Sequence, residues 1–331
     1  PYTTLFRSMT RIYKEGTNAL DKIEIEKVDD STIIEERTWI EVTDPTQESL
    51  EAISKKTNIP LHFLMSSLDE EESARIDNEN GSVLIVLDVP CLSSPNSDSY
   101  ITQPFIIAYN DKYYVTINRF SDTLLPNLFK YNQRNSLEPH KPVRLSLNII
   151  YQMSKEFIYY LRKIDAHTKD IELRLHTSMK NKELFELLDI NKTLVYFSTS
   201  LSANKAVLMK LLKSANYVKY DADKDLMEDT EVELNQAIEM CSIYREILTG
   251  MMDAFGTIIS NNLNIVMKTL AVITIVLSVP TLVASIYGMN VELPLEHQNW
   301  AFYVIMAIAL IAAILAGIFL YYSTKHNRNK D

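Results

Sequence analysis

The sequence predicts an α+β chain in three parts: a mixed αβ domain, a long helical region, and two C-terminal helices of membrane-spanning length. Three observations carry this. Short runs rich in Val, Ile and Tyr crowd the first 120 residues, as strands should. Pro is absent between Pro142 and Pro280, where Gly250 and Gly256 are the only glycines, so helix can run long there. Charge is also segregated. Charged residues make up 23% of the chain, yet residues 269–287 (19 residues) and 300–322 (23 residues) contain none. At about 1.5 Å per residue each run reaches roughly 30 Å, the thickness of a bilayer's hydrocarbon core.

The elements follow in order. Residues 1–8, PYTTLFRS, read as an artefact ahead of Met9 and are set apart from the fold. TWIEVTDPTQESLEAISKKTNI reads as a strand running into a helix, with Asp44 as N-cap, Pro45 at the first helical position and Gln47 closing a capping box. Residues 82–90, 101–109 and 112–120 read as strands, the last two joined by a tight turn at Asn110-Asp111-Lys112. Residues 9–140 thus form the αβ domain and 141–265 the helical region, with apolar residues at helical spacing through about Leu212. After a break near residues 213–225, helix resumes at about Leu226 and runs unbroken into the first span, roughly 60 residues or about 90 Å.

The first span is assigned to residues 266–288, a loop to 289–299, the second span to 300–322 and a basic tail to 323–331. The loop has no Lys or Arg, whereas Lys268 precedes the first span and Lys325, Arg328 and Lys330 follow the second. By the positive-inside rule both termini are cytoplasmic, the loop is external and the protein is multi-pass in the plasma membrane. Trp300, Tyr303, Tyr321 and Tyr322 stand at the span ends, where amphipathic rings favour the interface. Cys91 and Cys241 form no C-x-x-C and suggest neither a disulfide framework nor zinc.

One face of the first span is distinctive. Ala271, Thr274, Ser278, Thr281, Ser285 and Gly288 recur at steps of 3 and 4 and share one helical stripe. Extended backward, the stripe takes in Met267, Asn264, Ser260, Thr257 and Asp253. A polar stripe of this length suits a water-filled passage. Close helix packing also favours small residues, but explains Asn264 and Asp253 less well. The second span has no polar residue between Met306 and Leu320 and suits an outer, lipid-facing place. One hairpin cannot enclose a passage, so a homo-oligomer is required.

Tyr287-Gly288-Met289-Asn290 at the outer end of the first span, the acidic loop after it and the basic tail resemble the CorA magnesium transporters. WIEVTDPT (39–46) and SNNLNIVMKTL (260–270) are also similar to that family, extending the resemblance over nearly the whole chain after Met9. It implies a homopentameric funnel of cytosolic αβα domains, with long stalk helices leading to a central pore. It implies a filter at Gly288, Met289 and Asn290, and pore or inner-mouth roles for Asp253, Asn264, Met267 and Thr281. Ser285 stands where the family commonly has Gly, and Ser278 where a Met can occur. A ring of Asn carbonyls would accept from the water shell of Mg2+, which dehydrates reluctantly. Glu292 and Glu296 would concentrate cations at the mouth.

The resemblance further implies Mg2+ as transported and regulatory ion, with Co2+ and Ni2+ as further cargo. Asp229, in the acid-rich stretch DADKDLMEDTEVE, and Asp98 are the candidate regulatory ligands. The six glycines form no phosphate-binding cluster and no G-x-x-x-x-G-K-[ST] occurs, so no nucleotide is expected and the membrane potential would drive entry. No nucleophile–base constellation suggests an enzyme. The expected partners are other copies of the chain, the bilayer and divalent ions, with no nucleic acid. A zinc-transporting relative and a pore-less membrane-anchored sensor or scaffold are the alternatives.

Overall fold

The structure, a computed structural model, describes residues 9–15, 20–25, 32–93, 99–119, 124–131, 137–177, 181–213, 221–289 and 300–328. The chain divides into two compact units, Pro1–Gly250 and Met251–Asp331.

The first unit is built on a seven-stranded sheet. Its strands are β1 (Met9–Glu15), β2 (Leu20–Ile25), β3 (Thr38–Thr43), β4 (Arg75–Glu79), β5 (Ser82–Leu92), β6 (Tyr100–Tyr109) and β7 (Tyr113–Asn118), in the order β2-β1-β3-β7-β6-β5-β4. All pairings are antiparallel except β3 with β7, which is parallel. Alternation along the strands buries both faces. On one, Ile40, Val42, Leu84, Val86, Ile106, Ala108, Val115 and Ile117 meet Leu50 and Ile53 of α1 (Gln47–Thr57) and Phe63 and Leu64 of α2 (Leu61–Met65). On the other lie α3 (Leu124–Tyr131), α4 (Pro142–Thr177) and α5 (Asn181–Lys213). There Trp39 stacks on Phe129 at 5.3 Å and donates from Nε1 to Thr116, while the Tyr114 hydroxyl meets Ser146. Helices on both faces of one sheet make this an αβα sandwich.

One polar link joins neighbouring strands and another ties α5 to the sheet. Glu41, 4% exposed on β3, accepts from Arg11 Nη1 (2.7 Å) and from the Tyr13 hydroxyl (2.6 Å) on β1. Asn204 of α5 accepts from the Asp88 N–H (2.9 Å) and donates to the Asp88 carbonyl (2.7 Å) on β5. Burial pushes the Asp88 carboxyl up from its ordinary range, and a hydrogen bond with Ser200 opposes part of that shift.

The strands expected at 82–90, 101–109 and 112–120 are β5, β6 and β7. At the turn between the last two, Asn110 Oδ1 accepts from the N–H groups of Lys112 and Tyr113. The expected cap of α1 is corrected. Thr46, not Asp44, is the N-cap; its hydroxyl accepts from the Ser49 N–H, and Ser49 Oγ accepts from the Thr46 N–H. Asp44 is held in the left-handed region (φ 48°) by its N–H bond to the Asn118 carbonyl, so Pro45 precedes the helix and Gln47 opens it. The β4–β5 hairpin had a sequence signal that went unread. Asn80 and Gly81 both take positive φ (50° and 78°), the demand of a tight primed turn. The helical region expected through about Leu212 holds two helices, α4 ending at Thr177 and α5 starting at Asn181, with neither Gly nor Pro between them to signal the boundary.

The last long helix, α6, runs Asp221–Tyr287, starting five residues before the expected Leu226. Acidic residues in its first turns suit the positive end of the helix dipole. In the first unit, α6 buries Thr230, Leu234, Ala237, Cys241 and Leu248, and the Cys241 thiol meets the Leu194 carbonyl of α5 at 3.4 Å.

The second unit contains the rest of α6 and α7 (Ala301–Arg328). Val272, Val276, Val279 and Val283 of α6 are half-buried, and so is Pro280. On α7, Ala309 and Ala313 are buried, and a Cβ placed at Gly317 would lie 3.4 Å from Val276 Cγ2. Small residues every fourth position along α7 let it approach the valine ridge closely. The other faces carry large exposed apolar side chains, Leu277 (65%) and Phe319 (73%) among them. Both helices are long and apolar enough to cross a membrane.

Candidate functional site

The stripe stands clear of the valine ridge. Asp253, Asn264, Met267, Ala271, Thr274, Ser278, Thr281 and Ser285 are all exposed, and the half-buried valines Val272, Val276, Val279 and Val283 lie on another face. Packing inside the hairpin therefore does not account for the stripe.

Four of its hydroxyls share one arrangement. Thr257 donates to the Asp253 carbonyl, Thr274 to Leu270 (2.9 Å), Ser278 to Thr274 (2.8 Å) and Thr281 to Leu277 (2.9 Å), each one turn back along α6. The hydroxyl hydrogen is thus committed to the helix backbone. The oxygen lone pairs are what each hydroxyl turns outward, so the face presents acceptors. That suits a partner whose surface is donors, such as the outward-pointing hydrogens of a hydrated cation.

Two surface hollows follow this face. One is lined by Met252, Asp253, Gly256, Thr257, Ser260, Asn261 and Asn264, the other by Thr274, Leu277, Ser278, Thr281, Leu282 and Ser285. The structure gathers Asp253 with Asn264 in the first and Thr274, Ser278, Thr281 and Ser285 in the second, while Met267 and Ala271 fall between them. Gly256 and Asn261 were missed in the sequence; Asn261 stands three residues before Asn264, the spacing that would have found it.

Past Tyr287 the helix closes with the Gly288 N–H on the Ala284 carbonyl (2.9 Å) and the Met289 N–H on Ile286 (3.3 Å). A Cβ at Gly288 would lie 3.3 Å from the Ala284 carbonyl oxygen, so a side chain there would crowd this turn. Asn290, Glu292 and Glu296 lie outside the described residues. So does Asp98; Asp229 is exposed on α6. Among the described residues no cluster of three or more His, Cys, Asp or Glu side chains is placed to hold a metal ion.

The chain combines an αβα unit with two exposed apolar helices long enough to cross a membrane, one of them with an acceptor-lined face, the makings of a membrane protein. The profile of the CorA-like Mg2+ transporter protein family matches residues 35–323, and the chain belongs to this family. It is 27% identical over 309 residues to the cobalt/magnesium transport protein CorA of Methanocaldococcus jannaschii, covering 92% of this chain and 95% of that protein. It is 23% identical over 331 residues to the magnesium transport protein CorA of Campylobacter jejuni, covering 93% and 97%. The complete structure of the M. jannaschii CorA magnesium transporter superposes with a TM-score of 0.78 at 25% identity, over 95% of this chain and 97% of that one. The family comprises ion transporters rather than enzymes, and the chain is a divalent cation transporter of the membrane.

Proposed function

We propose that the chain is a channel-like importer of Mg2+, admitting Co2+ and Ni2+, driven by the membrane potential and closed by intracellular Mg2+. It works as a homopentamer in the plasma membrane, with both termini cytoplasmic and residues 289–299 outside. The observation that carries this reading is the exposed α6 face whose hydroxyls keep their acceptor side outward. Arranged around an axis, copies of that face offer acceptors to the water shell of a cation that loses its waters reluctantly. Cobalt and magnesium transport by the M. jannaschii relative and magnesium transport by the C. jejuni relative support these ions as cargo.

In this reading Gly288, Met289 and Asn290 form the filter, and Glu292 and Glu296 concentrate cations ahead of it. Asp253 and Asn264 line the inner mouth, and Asp229 with Asp98 senses Mg2+ between subunits. At about 2.3 kcal/mol per charge per 100 mV, an inside-negative potential favours entry of a divalent ion by about 4.6 kcal/mol. No nucleotide is needed.

The test is uptake by protein reconstituted in liposomes under an imposed inside-negative potential. Mg2+ uptake is expected to exceed Zn2+ uptake. Asn290→Ala abolishes it and leaves the oligomer intact, because that change removes the water-shell acceptors. Zn2+ uptake without Mg2+ uptake would make the chain a zinc-moving relative, and near-normal Mg2+ flux in Asn290→Ala would remove Asn290 from the filter.

A further inference from the structure

Outside the membrane hairpin, α5 and α6 each keep one face exposed, and the two faces are opposite in charge. On α5 the face carries Phe185, Leu188, Asp189, Lys192, Tyr196, Lys210 and Lys213, three lysines against one acid. On α6 it carries Asp225, Glu228, Glu239, Ile243, Glu246 and Ile247. Both mix charge with large apolar side chains, Phe185 being 65% and Ile247 51% exposed. A solvated face has no need of these apolar groups.

Their heights match. Cys241 touches Leu194, and these residues stand 20 positions after the start of α6 at Asp221 and 19 before the end of α5 at Lys213. Helices joined by residues 214–220 that meet at equal depth from the connection run antiparallel. At this register Leu188 is level with Ile247, Lys192 with Ile243, Tyr196 with Glu239, and Lys210 with Asp225. Apolar thus stands level with apolar near one end and Lys with acid near the other; Asp189 is level with Glu246, and Lys192, one turn from Asp189 on its own face, lies within a turn of both Glu239 and Glu246.

The two faces do not meet within one chain, since α6 touches α5 through its opposite side, at Cys241. Rotation about an axis parallel to α6 preserves height, so neighbouring copies in a ring would bring level residues together.

We propose that the basic, aromatic face of α5 in one copy docks on the acidic, aliphatic face of α6 in the next copy. This heterologous contact, repeated, closes a ring. The inference rests on the ring-forming pore reading but goes beyond it, naming the surfaces that mate and the register between them.

The experiment is cross-linking of the full chain in membranes with a short bis-maleimide. Burial pushes the native Cys91 and Cys241 thiols up to about 12 and about 11, which keeps them unreactive. With Leu188→Cys and Ile247→Cys in one chain, a ladder of covalent bands extending beyond the dimer is expected, and neither single variant gives one. Lys192→Glu should slow formation of the ladder at least tenfold, and Glu246→Lys added to it should restore the rate. A complex that stays oligomeric by mass yet gives no ladder overturns this contact and leaves the pore reading standing. Dimers formed by either single variant overturn it too, because they demand a self-pairing face, and so does an unchanged rate in Lys192→Glu. A chain monomeric by mass overturns both this contact and the pore reading.

Discussion

At the scale of single residues, two carboxylates on the sheet answer to opposite rules. Glu41 is matched by Arg11 and Tyr13, so its charge is neutralised where it is buried. Glu41→Ala takes that acceptor from both partners and is expected to cost about 2–3 kcal/mol, with Glu41→Gln milder because the Tyr13 bond survives. Urea unfolding of the two variants checks the order. Asp88 is held mainly by its backbone, and desolvation raises its carboxyl pKa above the unfolded value. A raised carboxylate pKa means the unfolded chain releases its proton first as pH rises. Stability associated with Asp88 is therefore fully present below the unfolded pKa, near ~3.9, and is lost as pH climbs through the folded value. Asp88→Asn should raise the Tm at pH 7 and leave it unchanged at pH 3. A lower Tm at both pH values would mean that the carboxylate makes a favourable contact beyond desolvation.

At the scale of elements, the membrane hairpin depends on the contact between the valine ridge of α6 and the small residues of α7. Because a Cβ at Gly317 would sit 3.4 Å from Val276, an ordinary contact distance, Gly317→Ala should be tolerated. Gly317→Leu forces the helices apart and should destabilise the hairpin by about 1–3 kcal/mol, read as a lower melting temperature in detergent. Equal melting for both variants would place the close approach elsewhere. Helix α1 shows how a neighbouring element shifts a boundary. Asp44 followed by Pro45 is a fair N-terminal signal. The Asn118 carbonyl on β7 nevertheless captures the Asp44 N–H, and the cap moves to Thr46.

At the scale of the whole molecule, regulation through Asp229 predicts that assembly responds to Mg2+. Carboxylates brought together across a subunit boundary repel, and a divalent ion relieves that repulsion. Such an ion shifts the equilibrium only by its preference for the closed state. Millimolar Mg2+ should therefore protect the first unit of the wild type from protease and fail to protect Asp229→Lys. Equal protection of both removes Asp229 from the sensor, and protection of neither removes the sensor from this chain.

The acceptor stripe, the two membrane-length helices and the long unbroken α6 were legible in the sequence. Each depends on spacing within one helix, and 3.6 residues per turn assigns a face without reference to any other element. The strands from Ser82 to Asn118 were legible for the same reason, their turn signals being local. Only the tertiary structure decided that Val272 and Val276, rather than the small residues of the stripe, turn towards α7. Small and β-branched residues can both serve a helix contact, and the partner's shape selects between them. Tertiary structure alone also set the strand order and the parallel pairing of β3 with β7, which joins residues more than seventy positions apart. The breadth of the αβα core and the level register of α5 with α6 were settled in the same way. Contacts between distant segments depend on which buried surfaces fit together, and no local period encodes that.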